Sequence, residues 1–193
     1  MGSSKCKPCT AIILAGGGAS RMGEDKRFLK VGEEKLLDRQ VRILKEHFDE
    51  IIISANDPEN LEYLGLRVIK DKHVGRGPLE GLTSVLSASN SDFNFVIAVD
   101  IPNIDMKFVK KMRERVDDVS AVVPVTADGK QEPLFAFYSR NCIPIFRSAL
   151  DEGELAIHRA LKKCPVYHIP LEGSDTIRNL NSQKDFEAFV TPG

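Results

Sequence analysis

Apolar positions along this chain fall into two alternating kinds of run. Short blocks, continuously apolar and rich in β-branched residues, occur at Ala11–Leu14, Ile51–Asn56, Leu66–Ile69 and Phe93–Val99. Such blocks predict strands buried on both faces of a parallel sheet. Between them, apolar residues recur every three or four positions: Leu37, Val41, Leu44 and Phe48, then Leu79, Leu82, Val85 and Leu86, then Met106, Val109, Met112 and Val116. That period predicts amphipathic helices. The first is expected over Glu33–Phe48, and the third is capped by Asp105. Asp57-Pro58 stops the second strand, and Gly75–Gly81, GRGPLEG, is a glycine-proline loop leading into the second helix. Strand alternating with helix predicts an α/β fold: a single-domain three-layer sandwich, a mostly parallel sheet with helices on both faces, Rossmann-like.

From Ala121 the pattern changes. AVVPV, a turn at Asp128-Gly129 and PLFAFY (Pro133–Tyr138) read as a strand pair. Helices Ile143–Leu150 and Ala156–Leu161, a strand Val166–Ile169 and a last helix Ser182–Val190, packed back on the sheet, complete the reading. There is no repeat, low-complexity segment or linker. Residues 1–9 are expected to be a flexible N-terminal segment and residues 10–191 one domain, whose second half completes the far side of the cleft.

Composition narrows the function classes. A length of 193 residues suits one α/β domain with a full core. The net charge of -1, without a dense basic block, argues against nucleic acid as a partner. No apolar run approaches the roughly 20 residues that span a bilayer, and no signal-peptide pattern opens the chain, so no membrane partner and a cytoplasmic location are expected. The opening MGSS fails the myristoylation pattern because position 6 is Cys6. Cys6 and Cys9 form a CxxC, but one pair cannot close a tetrahedral zinc site. Cys142 and Cys164 make no second close pair, and reduced thiols are expected. His47, His73, His158 and His168 have no metal-ligand spacing and read as structural.

The densest chemistry lies in Ala11–Phe28, AIILAGGGASRMGEDKRF. A buried strand runs into Gly16, Gly17 and Gly18, where the backbone can approach a ligand with N–H groups pointing at it. Arg21 and Lys26 then offer a planar fork and a point charge to phosphate oxygens. The set suits a nucleoside triphosphate. Two better-known phosphate loops do not fit: Gly18 and Gly23 have the Walker spacing, but Glu24 stands where Lys is needed. A dinucleotide fingerprint begun at Gly16 would need a third glycine where Arg21 stands. Gly16, Asn56, Asp71 and Asp100 all fall at or just past strand ends, the edge where such sheets bind ligands. Asp100, before a Pro-containing turn, offers one hard oxygen ligand, as Mg²⁺ requires beside phosphates and water. Asn56 and Asp71, read from the residues alone, serve equally well as turn formers.

LAGGGASRMGEDK resembles the signature LAGGxSxRMGxDK of nucleotidyltransferases, most closely the molybdenum cofactor guanylyltransferases, with Ala19 at the usual Ser. IISAN, GLRVIKD, GPLEG and AVDIP resemble further segments of that family. IRNLNSQKD (Ile177–Asp185) is similar to its FxNINTPED, with Ile177, Ser182 and Gln183 as departures, and QEPLFAFY to its HPLxALY, with Glu132 at the His. Together these segments cover most of Thr10–Val190. The resemblance implies a nucleotidyltransferase fold with catalytic Arg21, Lys26 and Asp100. It implies nucleotide contacts from Leu14, Ala15, Gly16, Gly17, Lys26, Asn56, Asp71 and Asp100. Acceptor contacts are implied from Arg21, Gly81, Asn179 and Asn181, and Mg²⁺, with Mn²⁺ as the alternative ion, on Asp100.

The expected reaction is transfer of GMP from Mg·GTP to the terminal phosphate of molybdopterin or its molybdenum form, releasing pyrophosphate. The implied partners are GTP, the pterin and other cofactor-biosynthesis proteins that deliver it. An ionised phosphate nucleophile explains why no Ser-His-Asp or Cys-His set is needed: positioning and charge neutralisation suffice. Two alternatives keep the fold: CTP with the same pterin, or a sugar 1-phosphate substrate. A nucleotide-binding sensor without turnover is the third, and it would be expected to lack Lys26 or Asp100.

Overall fold

The computed structural model describes residues 9–16, 25–117, 119–172, 177–180 and 182–190. The elements run β1 (Thr10–Leu14), β2 (Lys30–Val31), β3 (Glu34–Lys35), α1 (Leu36–Lys45), β4 (Glu50–Ser54), β5 (Arg67–Ile69), α2 (Gly77–Ala88), β6 (Phe93–Ala98) and α3 (Met106–Arg113). There follow β7 (Ala121–Val125), β8 (Phe135–Ser139), α4 (Cys142–Asp151), α5 (Ile157–Ala160), β9 (Val166–Pro170) and α6 (Gln183–Val190).

Among the described residues the main sheet has seven strands in the order β5-β4-β1-β6-β8-β7-β9. β1 pairs parallel with β4 and β6, β4 with β5, and β7 with β9, while β8 runs antiparallel between β6 and β7. The sheet is thus mostly parallel, as the strand–helix alternation predicts. Its strands read as continuous apolar runs because helices cover both faces. Ile13, Ile53 and Phe95 meet α1 and α3 through Leu37, Val41, Phe108 and Met112. Ile12, Ile52 and Val96 meet α2 and α4 through Leu82, Val85 and Phe146.

Three local expectations change. The first helix starts at Leu36 rather than Glu33, because Gly32 takes a φ of 64° and folds Val31 back onto Glu34 in a two-stranded ribbon. The glycine-proline loop ends earlier, since α2 already begins at Gly77 with Pro78 in its first turn, where a missing N–H costs nothing. The last helix packs away from the main sheet: Phe186 and Phe189 lie against a small cluster of Leu29, Leu36 and Leu180. Asp105 caps α3 as read, accepting from the N–H groups of Lys107 and Phe108. His168 lies inside β9, with its Nε2 2.9 Å from Gln131 Nε2. No helix among the described residues is long and apolar enough to cross a membrane.

Candidate active site

The carboxyl ends of β1, β4, β5 and β6 lie side by side, so the residues that follow them share one edge of the sheet. The Ala15 N–H donates to Ser54 O at 2.9 Å, the Ala55 N–H to Ile69 O at 3.0 Å and the Val99 N–H to Leu14 O at 3.1 Å. These bonds carry the strand register one step past each end and place Gly16, Asn56, Asp71 and Asp100 around a common rim. Gly16 has no positive φ, and a Cβ there would meet Ser54 O at an ordinary 3.6 Å. Neither backbone nor packing demands a glycine at that position. A ligand approaching the main chain would.

Two pairs of side chains face this rim. Lys26 Nζ donates to Asp100 Oδ2 at 3.2 Å, both side chains about four-fifths buried. Asn56 and Asp71 hold each other twice: Asn56 Nδ2 donates to Asp71 Oδ2 at 3.0 Å, and the Asp71 N–H donates to Asn56 Oδ1 at 2.9 Å. Asp71 rests on α2 at Gly81, where a Cβ would stand 3.0 Å from Asp71 Oδ1 and 3.4 Å from Ser54 Oγ. Gly81 therefore sits beside Asp71, on the side expected to hold the nucleotide.

The tail reaches the same place from the far end of the chain. The Leu180 N–H donates to Asp100 O at 2.8 Å, which brings Asn179 beside the Asp100 turn. The Asn179 side-chain oxygen is buried without a hydrogen-bond partner among the described residues, and such an acceptor is costly unless a donor arrives. Gly17, Arg21 and Asn181, three of the expected site residues, lie outside the described residues, as does Cys6.

Two supporting groups were not read from the sequence. Arg27 is buried and bridges two carboxylates: its Nη1 and Nη2 each donate to Asp57 at 2.6 Å, and its Nε to Asp25 at 2.9 Å. The hydrogen bonds to Asp57 and then Asp25 hold the guanidinium charged, and Arg27 in turn lowers the Asp57 carboxyl to about 2. This clamp ties the residue next to Lys26 to the residue next to Asn56. Gln40, fully buried on α1, donates through Nε2 to Ala98 O at 2.9 Å and Ile101 O at 2.7 Å, fixing the turn that carries Asp100. No sequence signal marked either residue, since Arg27 follows Asp25-Lys26 and Gln40 follows Asp38-Arg39 in polar stretches.

Among the described residues no group of three or more His, Cys, Asp or Glu side chains is placed to hold a metal. The donors present fit a different kind of site. Asp100 gives one oxygen to Lys26, and its second carries no hydrogen bond among the described residues. One carboxylate oxygen left open among the described residues, beside Lys26, suits a hard divalent ion shared with phosphates.

Comparison with known proteins agrees with this geometry. Residues 11–165 match the family model described as MobA-like NTP transferase domain. A molybdenum cofactor guanylyltransferase of Syntrophotalea carbinolica is 32% identical over 192 residues, covering 95% of this chain and 91% of that protein. A probable molybdenum cofactor guanylyltransferase of Pelotomaculum thermopropionicum is 40% identical over 141 residues, 73% of this chain and 68% of that protein. The crystal structure of molybdopterin-guanine dinucleotide biosynthesis protein A from Archaeoglobus fulgidus has a TM-score of 0.80 over 93% of this chain and 96% of that one. At 20% identity, it shows the shared fold.

Proposed function

We propose that this chain, which belongs to the MobA-like NTP transferase family, is a molybdenum cofactor guanylyltransferase. It transfers GMP from metal-bound GTP to the terminal phosphate of molybdopterin or its molybdenum form and releases pyrophosphate. The observation that carries this reading is the Lys26–Asp100 pair, set at the strand-end rim of a chain that matches a named guanylyltransferase over 95% of its length. We place the reaction in the cytoplasm, where GTP is held.

The roles are assigned from the family resemblance, with the Lys26–Asp100 and Asn56–Asp71 pairs in support. Backbone groups of Leu14, Ala15, Gly16 and Gly17 line the nucleotide, which the Asn56–Asp71 pair meets from the β4–β5 side. Lys26 and Arg21 counter the charge that builds on the phosphate oxygens. Asp100 would hold the divalent ion, Mg²⁺ or in its place Mn²⁺. That ion, when bound, neutralises phosphate charge and orients the triphosphate. The acceptor phosphate, already ionised, attacks the α-phosphorus in line, and pyrophosphate leaves. The acceptor lies on the side of Asn179, whose side-chain oxygen has no hydrogen-bond partner among the described residues. The pterin ring carries hydrogen-bond donors, and Asn181 is assigned beside it.

The test is pyrophosphate release with Mg²⁺ and a molybdopterin-loaded acceptor, offering GTP and CTP separately. Release with GTP that is lost in Lys26→Ala supports the reading. Release with CTP alone keeps the mechanism and replaces the nucleotide. No release with either removes the pterin.

A further inference from the structure

Behind Asp71, on the outer flank of α2, a groove of about 350 Å³ opens between α2, α4 and the loop that follows β5. Its wall carries Lys70, Lys72, Arg76 and Arg147 against two carboxylates, Glu80 and Asp151, with His73 beside them. Glu80 is buried, and its Oε1 lies 3.4 Å from His73 Nδ1. None of the four Lys and Arg side chains forms an ion pair among the described residues. The chain as a whole has a net charge of -1, so this local excess is not a general property of its surface.

The two arginines are held in place by neutral acceptors, and the backbone of the lysine-bearing loop is pinned to α2. Arg147 Nη2 donates to Ser87 Oγ at 3.1 Å. Arg76 reaches across from the start of α2 to donate to Leu150 O on α4. The Lys72 backbone N–H is fixed to Ser84 Oγ at 3.0 Å. Each guanidinium has five N–H donors, so one anchoring bond apiece leaves most of the fork free. Cations stand on both walls, lysines from the loop and arginines toward α4. A flat monoanionic carboxylate meets one wall, whereas a tetrahedral oxyanion of charge two or more presents acceptors to both.

We propose that this groove is a second anion site, separate from the strand-end rim, which takes a phosphate-class ligand: inorganic phosphate, a phosphate monoester or pyrophosphate. It rests on charge and geometry alone and is independent of the proposed reaction. Its mostly exposed cations give it modest affinity and a marked salt dependence. Lys70 and Lys72 flank Asp71 in the chain, so the groove adjoins the rim.

The four histidines provide the probe. His73 lines this groove, whereas His158 lines another cavity beside Lys130 and Lys162. Imidazole proton signals would be followed at fixed pH and ionic strength while inorganic phosphate, glycerol phosphate and pyrophosphate are added in turn. The expected result is a saturable shift of the His73 signal, larger than that of His158. Binding should weaken about tenfold or more in Arg76→Ala/Arg147→Ala and in Lys70→Ala/Lys72→Ala, which strip opposite walls. It should persist in Lys26→Ala. Equal response to the phosphates and pyrophosphate makes the site a reader of a single phosphate group, and preference for pyrophosphate makes it a reader of that diphosphate. The proposal falls if no anion gives a saturable shift, if His158 responds as strongly as His73, or if Lys26→Ala abolishes the response.

Discussion

Lys26 Nζ stands 3.2 Å from Asp100 Oδ2, closing the rim between the segment after the glycine-rich stretch and the end of β6. Each charge holds the other in position, and in the proposed reaction Lys26 would turn to phosphate and Asp100 to the metal. Asp100→Asn preserves the shape and the acceptor oxygen for Lys26 but removes the charge. We expect Asp100→Asn and Lys26→Met each to lower kcat by about 10²–10³-fold. The double variant should be far less impaired than the product of the two losses, because the groups act as a unit. Steady-state pyrophosphate release measures all three, and strict multiplicativity would show that the two act separately.

Much of this rim was legible because a parallel sheet writes itself plainly. Ile12 and Ile13 face opposite helical layers, so the strand is apolar throughout, and the residues just past each such run, Gly16, Asn56, Asp71 and Asp100, mark the shared rim. The start of α1 was not legible, since Leu36 and Leu37 continue the helical period and one glycine turn at position 32 decides the boundary. Arg27 and Gln40 were missed for another reason. Their partners, Asp57 and Ile101, lie 30 and 61 residues away, and no local pattern announces a contact of that range.

Gly81 offers a test of how tightly Asp71 is held. An added Cβ would stand 3.0 Å from Asp71 Oδ1, and Asp71 cannot swing away without releasing Asn56. Helix α2 itself gains from the change, since Ala is favoured over Gly in a helix by roughly 0.5–1 kcal/mol. Gly81→Ala should therefore leave the melting temperature unchanged or slightly raised, while the KM for GTP rises by about tenfold, or 1.4 kcal/mol of lost contact. Calorimetry paired with initial rates separates the two effects. A fall in stability without a change in KM would make Gly81 a packing residue alone.

The Arg27–Asp57 clamp predicts an acid response. Asp57 ionises at about 2 when folded, below its ordinary 3.8, first because Arg27 donates to it. A depressed carboxylate contributes its stability above the unfolded pKa and loses it as pH falls through the folded one. The clamp's contribution should thus be complete above pH 3.8 and fade toward pH 2. Carboxyl carbon shifts in an NMR titration report it directly. In Arg27→Gln the Asp57 midpoint should move up toward the ordinary value, and the KM for GTP should rise because Lys26 and Asn56 lose their common tether.

Gln40 gives the opposite sign from a buried position. Its Nε2 is a hydrogen-bond donor to Ile101 O at 2.7 Å and Ala98 O at 2.9 Å, and both bonds are buried. Gln40→Ala leaves a buried carbonyl unpaired and should cost about 1–3 kcal/mol in urea unfolding. Gln40→Glu keeps the volume, but an ionised carboxylate has no proton to donate and faces two carbonyl oxygens in the interior. Burial raises such a carboxyl above its unfolded pKa of about 4.3. Gln40→Glu should then be least impaired below that pH, where the protonated acid still donates one bond, and lose stability as pH rises through the folded pKa. Because the Asp100 turn hangs on these two carbonyls, kcat should fall with stability in both variants. A Gln40→Glu protein equally stable at pH 4 and pH 8 would show that water, rather than this side chain, satisfies the turn.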